Sequence, residues 1–347
     1  MSRPVKFFLV LLLAATTACT PTLDEQQSIY IFGTLLDIEL LDVEKGQAQQ
    51  AFAELDHQFQ RMHTEWHAWK PGGELYEINQ KIAAGISAMP VSVMLQPLIQ
   101  RSKQLYQASD GLFNPAMGRL IDVWGFHQDD RPHGRPPEKQ LIATLLQQRA
   151  SMDDLHIEAG QLISRNSAVN LDFGGFAKGY ALDLARLELQ RLGIRHAMLN
   201  AGGDLCAMGR HHDRPWRVAI RHPQGKGVLA SLEVGDGECV MTSGNYERYL
   251  EHEGVHYAHI LDPRTGEPVQ GIVSTTVIAN DGGLADAAAT ALTVAGSEKW
   301  YSLARKMGLK YVMLVGDDGT VYMNPAMAGR LRYEGTRPTS EVISPAL

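Results

Sequence analysis

Cysteine is almost missing from this chain: three residues in 347, at positions 19, 206 and 239. No CxxC pair or His/Cys cluster accompanies them, which removes the usual framework of a structural zinc site. There is no basic run, and the formal net charge is −7. That balance is a poor one for a nucleic-acid binder, whose affinity rests on paired phosphates. Neither GxxxxGK[ST] nor GxGxxG occurs, so the Walker loop and the dinucleotide fingerprint are both excluded. No solenoid-type repeat is found. Long apolar runs are also lacking. "FFLVLLLAA" at 7–15 is too short to span a bilayer comfortably, and no later segment reads as transmembrane.

What is present suits a globular protein with a sizeable core: 44% hydrophobic and 20% charged residues. Arg3 and Lys6 precede the short apolar run, and small residues lead to Cys19. This is the pattern of a secretory signal over residues 1–18. "TTAC" resembles a bacterial lipobox with Thr16 at the usually aliphatic position, so Cys19 is the expected lipidation site and 19–27 a polar tether. The expected location is the periplasmic side of the cell envelope, with the protein lipid-anchored to a membrane. An oxidising compartment permits a disulfide between Cys206 and Cys239, and two unrelated buried thiols fit the spacing equally well.

Along the chain, "SIYIFGTLLDIELLDV" alternates like a strand or bent hairpin. Helical spacing follows over 45–62, 73–82, 93–109 and 138–148. From Gln161 short strands take over: "QLISRN", "AVNLDF", "HAMLNAGGDLCAMG", "PWRVAIRH", "VLASLEV", "ECVMTSG", "YERYLEH", "HYAHILD", "IVSTTVIA" and "YVMLVGDDGTVYMN". One long helix, opened by glycines, interrupts them. Helices first and strands later point to an α+β fold in one unit, 28–325, followed by an Arg- and Pro-rich tail, 326–347, expected to be poorly ordered.

Several segments have chemical potential. "LDFGGFAKGYALD" ends a strand at Asp172 and opens a helix with Lys178 in its first turn, a ready anion site; a tight turn explains the glycines equally well. "LNAGGDL" and "MTSGNYERYL" are further polar glycine turns at strand ends. His259 precedes a DPRTG turn; a lone histidine is usually structural, and this one is also a candidate general base. In "DGGLADAAATALTVAG", Asp286 and Thr290 stand four apart, on one helix face. A carboxylate with a hydroxyl suits a hard cation such as Mg²⁺. The simpler alternative is that Asp286 caps its own helix while Thr290 back-bonds to it.

In order, "FGTLLDI", "FNPAMGRLIDVWGF", "LDFGGFAKGYALD", "LNAGGDL", "TSGNYERY", "HILDPRTGEP" and "ADAAATAL" resemble the ApbE family of FAD:protein FMN transferases, over about 29–316. The resemblance implies a fold of two intimately packed αβ subdomains. It implies a Mg²⁺-dependent enzyme that cleaves FAD, attaches FMN by a phosphoester bond to a Thr or Ser of a partner protein, and releases AMP. Implied partners are extracytoplasmic flavin-bearing subunits of redox-driven ion pumps. Residue by residue it implies Asp286, Thr290 and the Gly175 carbonyl as metal ligands, with Ala289 where several members have a second Asp. It implies FAD contacts at Phe32, Trp69, Ala116, Met117, Gly118, Asp172, Lys178 and Ile260. Phe32 stands where many members have Met, and Trp69 where some have Tyr. His259, beside Ile260, is the expected base for the acceptor hydroxyl. Two rivals fit the same residues: an FAD pyrophosphatase giving FMN and AMP, and a non-catalytic flavin-binding lipoprotein.

Overall fold

The computed structural model describes residues 22–347, except 129–131, 133, 224, 226, 246–247, 335–336 and 339. Cys19 and the signal segment lie outside the described residues.

Leu23–Ile31 (β1) and Thr34–Val43 (β2) form a hairpin closed by Phe32 and Gly33, both at positive φ (49° and 75°). A two-residue loop of this hand matches the twist of its strands. β1 starts inside the segment expected to be a tether, because pairing of Gln26 and Gln27 with Glu39 and Ile38 gives those polar residues a backbone ladder.

Lys45–Glu65 (α1) turns Ala48, Phe52, Leu55, Phe59 and Met62 onto one buried stripe, as the helical spacing predicts. Glu74–Ala83 (α2), Ala88–Pro90 (β3), Leu95–Ala108 (α3), Gly118–Val123 (α4) and Lys139–Gln147 (α5) follow. Leu155–Glu158 (β4) and Gln161–Ser164 (β5) make a small sheet with β3, in the order β3-β5-β4. "AVNLDF" is not a strand, apart from one bridge between Asn170 and Met117. Its Leu171 donates its N–H to Asn79 Oδ1 (2.7 Å) and accepts from Asn79 Nδ2 (2.9 Å), so a side-chain amide replaces a strand neighbour.

Ala177–Arg191 (α6) is the glycine-opened helix. After it come His196–Ala201 (β6), Asp204–Met208 (β7), Trp216–Arg221 (β8), Val228–Val234 (β9), Cys239–Gly244 (β10), Tyr249–His252 (β11), Val255–Ala258 (β12) and Ile272–Ala279 (β13). Gly282–Lys306 (α7) is broken at Gly296 (φ 71°, ψ 179°) into 282–295 and 297–306. Tyr311–Gly316 (β14), Val321–Met323 (β15), Pro325–Ala328 (α8), Arg332–Tyr333 (β16) and Glu341–Ile343 (β17) complete the chain.

Nine strands make the main sheet, in the order β1-β2-β6-β7-β10-β13-β14-β15-β17, antiparallel except for β15 with β17. The tail expected to be poorly ordered therefore supplies strands to two sheets, because β17 pairs with β15 and β16 with β9. Helices α1, α6 and α7 pack with one face of the main sheet around Ile38, Leu55, Phe59, Leu182 and Leu292. The other face is buried with the β8-β9-β16 sheet and α8, around Trp216, Leu232, Val240 and Met313. Burial on both faces explains why β14 reads as a continuous apolar run rather than an alternating one. The α+β expectation holds. Cys206 and Cys239 face each other across β7 and β10 and are joined as a disulfide.

Candidate active site

α6 and α7 cross very closely because glycines meet there. A Cβ on Gly179 would lie 2.2 Å from the Gly282 carbonyl oxygen and 2.8 Å from Asp286 Cβ. The start of α7 is capped without Asp286. The Asp281 carboxylate accepts from Leu284 N–H (2.7 Å), and Asp183 accepts from Gly282 and Gly283 N–H (3.0 and 2.9 Å). Asp286 instead reaches across, accepting from Gly179 N–H in the first turn of α6 (3.0 Å). Thr290 does not back-bond in its helix; its Oγ1 lies 3.2 Å from Ser243 Oγ on β10. The tertiary contacts thus remove the simpler capping explanation for this pair.

The glycine turn before α6 is less available to an anion than its sequence suggests. Gly174 N–H donates to Asp172 Oδ1, Phe176 and Ala177 N–H to the Phe173 carbonyl, and Gly179 N–H to Asp286. Nor is Lys178 a mobile cation. Its ammonium pairs with the buried Asp204, whose other oxygen accepts from Thr242 N–H (2.9 Å). Gly175 faces Thr290 closely: a Cβ there would sit 3.0 Å from Thr290 Oγ1.

These groups share one cavity of about 550 Å³, within the size range of small-molecule sites. Asp286, Thr290, Gly175, Lys178, Asp172, His259, Ile260, Met117, Trp69 and Phe32 all line it. Ala116 and Gly118 do not. Ala116 is fully buried, its carbonyl accepting from Asn170 N–H, and Gly118 N–H donates to the Asn170 carbonyl. Both fix the backbone on either side of Met117. Not anticipated from sequence were His63, Trp66, His67, His127, Asn114 and Arg248, which line the same cavity. The i,i+4 spacing of His63 and His67 near the end of α1 was the available signal.

The cavity lining includes a polar set around Asp286 and Thr290 and an aromatic set of Phe32, Trp66 and Trp69, called its polar and aromatic ends below. Burial, then the nearby Asp204 charge, pushes the Asp286 carboxyl up to about 7. A buried carboxylate held this way gains from a cation. Asp286, the Thr290 and Ser243 hydroxyls and the Gly175 backbone are all hard oxygen donors, and the gap that a Gly175 side chain would fill stays open. The set fits Mg²⁺ chemistry. His259 is half-buried in the wall, and burial lowers its imidazole to about 4. Its Nδ1 lies 3.1 Å from the Arg248 carbonyl. A carbonyl only accepts, so the neutral ring is protonated on Nδ1 and Nε2 carries the free lone pair. At the aromatic end, Trp69 Nε1 donates to Asp172 Oδ2 (2.6 Å), and the Phe32 ring lies parallel to Trp66 (centroids 6.3 Å apart, 5° between planes).

Residues 32–313 match the model of the ApbE family. An FAD:protein FMN transferase from Rhodobacter capsulatus is 45% identical over 92% of this chain, and the chain spans 60% of that relative's length. One from Vibrio cholerae is 32% identical, covering 77% of this chain and 80% of the relative. The crystal structure of an ApbE protein from Thermotoga maritima superposes with a TM-score of 0.78 at 28% identity, covering 86% of this chain and 96% of that one. With the family match spanning most of the fold and the whole cavity wall, this chain belongs to the ApbE family.

Proposed function

We propose that the protein is a Mg²⁺-dependent FAD:protein FMN transferase, working on the periplasmic side of the envelope and anchored there through a lipidated Cys19. The observation that carries this reading is the cavity itself. It joins an oxygen-donor cluster, an aromatic end and a base-competent histidine in one space. Flavin storage needs no such polar cluster. The Cys206–Cys239 bridge supports an oxidising compartment.

In this reading Asp286, Thr290 and the Gly175 carbonyl hold Mg²⁺, which when bound supplies charge neutralisation at the pyrophosphate. The rest falls to the chain. Phe32 and Trp69 offer flat faces to the flavin or adenine ring. Lys178, held by Asp204, presents fixed positive charge to the phosphates. The acceptor Thr or Ser hydroxyl gives its proton to His259 Nε2. Its oxygen bonds to the FMN phosphorus as the P–O bond of the pyrophosphate breaks, and AMP departs with the electron pair. The acceptor belongs to an extracytoplasmic flavin-bearing subunit of a redox-driven ion pump or a similar electron carrier.

The test is incubation with FAD, Mg²⁺ and such a subunit, read as flavin fluorescence of the acceptor on a denaturing gel. Labelled acceptor is expected, and His259→Ala should lower the rate at least ~100-fold, as loss of a general base does, while FAD still binds. Free FMN without labelled protein would reassign the enzyme as an FAD pyrophosphatase. Neither product would leave a flavin-binding lipoprotein.

A further inference from the structure

We propose that His63 and His67 are positioning residues, each using its Nδ1 to hold the backbone of one aromatic wall of the cavity. Phe32 N–H donates to His63 Nδ1 at 3.2 Å. Trp69 N–H and Lys70 N–H both donate to His67 Nδ1, each at 3.1 Å. A ring nitrogen that accepts carries no proton, so both imidazoles are Nε2–H tautomers at these contacts. Their rings pack edge to face, centroids 5.8 Å apart, and form one unit at the end of α1.

The two walls need such support. Phe32 is a non-glycine residue at φ 49°, a conformation that persists only where the surroundings over-determine it. Its surroundings are the His63 acceptor, the tilted His63 ring (5.9 Å) and the parallel Trp66 ring. Trp69 lies beyond the end of α1, outside any helix or strand, and its indole must point at Asp172. His67 anchors that stretch at two consecutive amides. His63, Trp66 and His67 all follow from how α1 ends, so one helix terminus sets both aromatic faces. That these faces take the rings of FAD rests on the functional reading above; that the imidazoles set them does not.

The experiment compares His63→Ala, His67→Ala and the corresponding Asn and Gln variants. Asn places its Oδ1 near the position of the imidazole Nδ1, whereas Gln places its oxygen further out. Two readouts are used: hydrogen exchange of the Phe32 and Trp69 amides in protein without added ligand, and FAD affinity from flavin fluorescence with KM and kcat alongside. The Ala and Gln variants should exchange the held amide about tenfold faster. Their FAD affinity should weaken about tenfold, with KM rising more than kcat falls. Asn should restore both. Wild-type exchange in the Ala variants, or Asn no better than Gln, would overturn the proposal. If an Ala variant does not fold, the Asn–Gln pair decides, and equal exchange in the two overturns it. If the wild-type protein binds no FAD, the functional reading fails, and amide exchange still judges the two histidines.

Discussion

At the polar end of the cavity, Asp286 and Thr290 sit on α7, and their places follow from where α7 crosses α6 and β10. At the aromatic end, Phe32 and Trp69 sit on a hairpin turn and a post-helical loop, held by side chains that bond to backbone. The polar end is built from regular elements whose small residues meet at backbone contact, with seven of the residues from Ala285 to Leu292 fully or almost fully buried. The aromatic end is built from a few directional bonds. Under the proposed function, a rigid crossing suits groups that would hold one small ion. Turns suit flat surfaces that must fit the outline of a larger ligand.

The comparison is broken most strongly at the crossing. Gly179→Ala puts a methyl against the Gly282 backbone, which has no freedom to move aside alone. It should cost about 3 kcal/mol or more and abolish activity, measured by denaturant unfolding and turnover. Next comes the covalent tie between β7 and β10, strands that carry Asp204, Thr242 and Ser243. Replacing both Cys206 and Cys239 by Ala frees a loop with a sequence separation of 33. It should cost about 3.7 kcal/mol by the chain-entropy relation, with a matching fall in Tm; unchanged stability would show that the strands hold without the bridge.

A smaller effect distinguishes the ends by pH. The Asp286 carboxyl is raised in the folded protein, so at this group the folded state binds more protons than the unfolded one between about pH 4 and 7. Its contribution to the stability of the metal-free protein is greatest below pH 4 and is lost as pH rises to about 7. The lowered His259 imidazole acts in the opposite sense between about pH 4 and 6.5, so the effect is read as the difference between wild type and Asp286→Asn. That difference should shrink and reverse as pH rises, leaving the metal-free variant at pH 8 a few degrees more stable (about 2 °C or more), and the variant should lose Mg²⁺-dependent turnover. A difference that does not change with pH would move the effect to another group. Smallest is Trp69→Phe, which keeps the ring face and loses the bond to Asp172. FAD affinity should drop about fivefold, near 1 kcal/mol, with Tm nearly unchanged.

Much of this molecule was legible as a string. The apolar stripe of α1, the hairpin around Phe32 and Gly33, the glycine opening of α6 and the small-residue α7 all follow from local pattern. The gathering of Asp172, Lys178, Asp286 and Thr290 was instead implied by the resemblance of the ordered motifs to the ApbE family. "AVNLDF" misled because Asn79, 92 residues away, imitates a strand partner for Leu171. The tail misled because its two strands depend on partners elsewhere in the chain.

The sequence by itself determined which segments are helical, which positions face a core, and which chemical groups are on hand. Periodicity and turn chemistry are local, so they survive in one dimension. Only the tertiary structure decided what each group is bonded to. Asp286 caps α6 rather than its own helix, Lys178 is held by Asp204, the two late cysteines meet, and two histidines hold the aromatic walls. Apart from the local bonds of His67 to Trp69 and Lys70, each of these depends on a close approach between residues distant in the chain, set by packing of small side chains and by ladder register, which no single segment encodes.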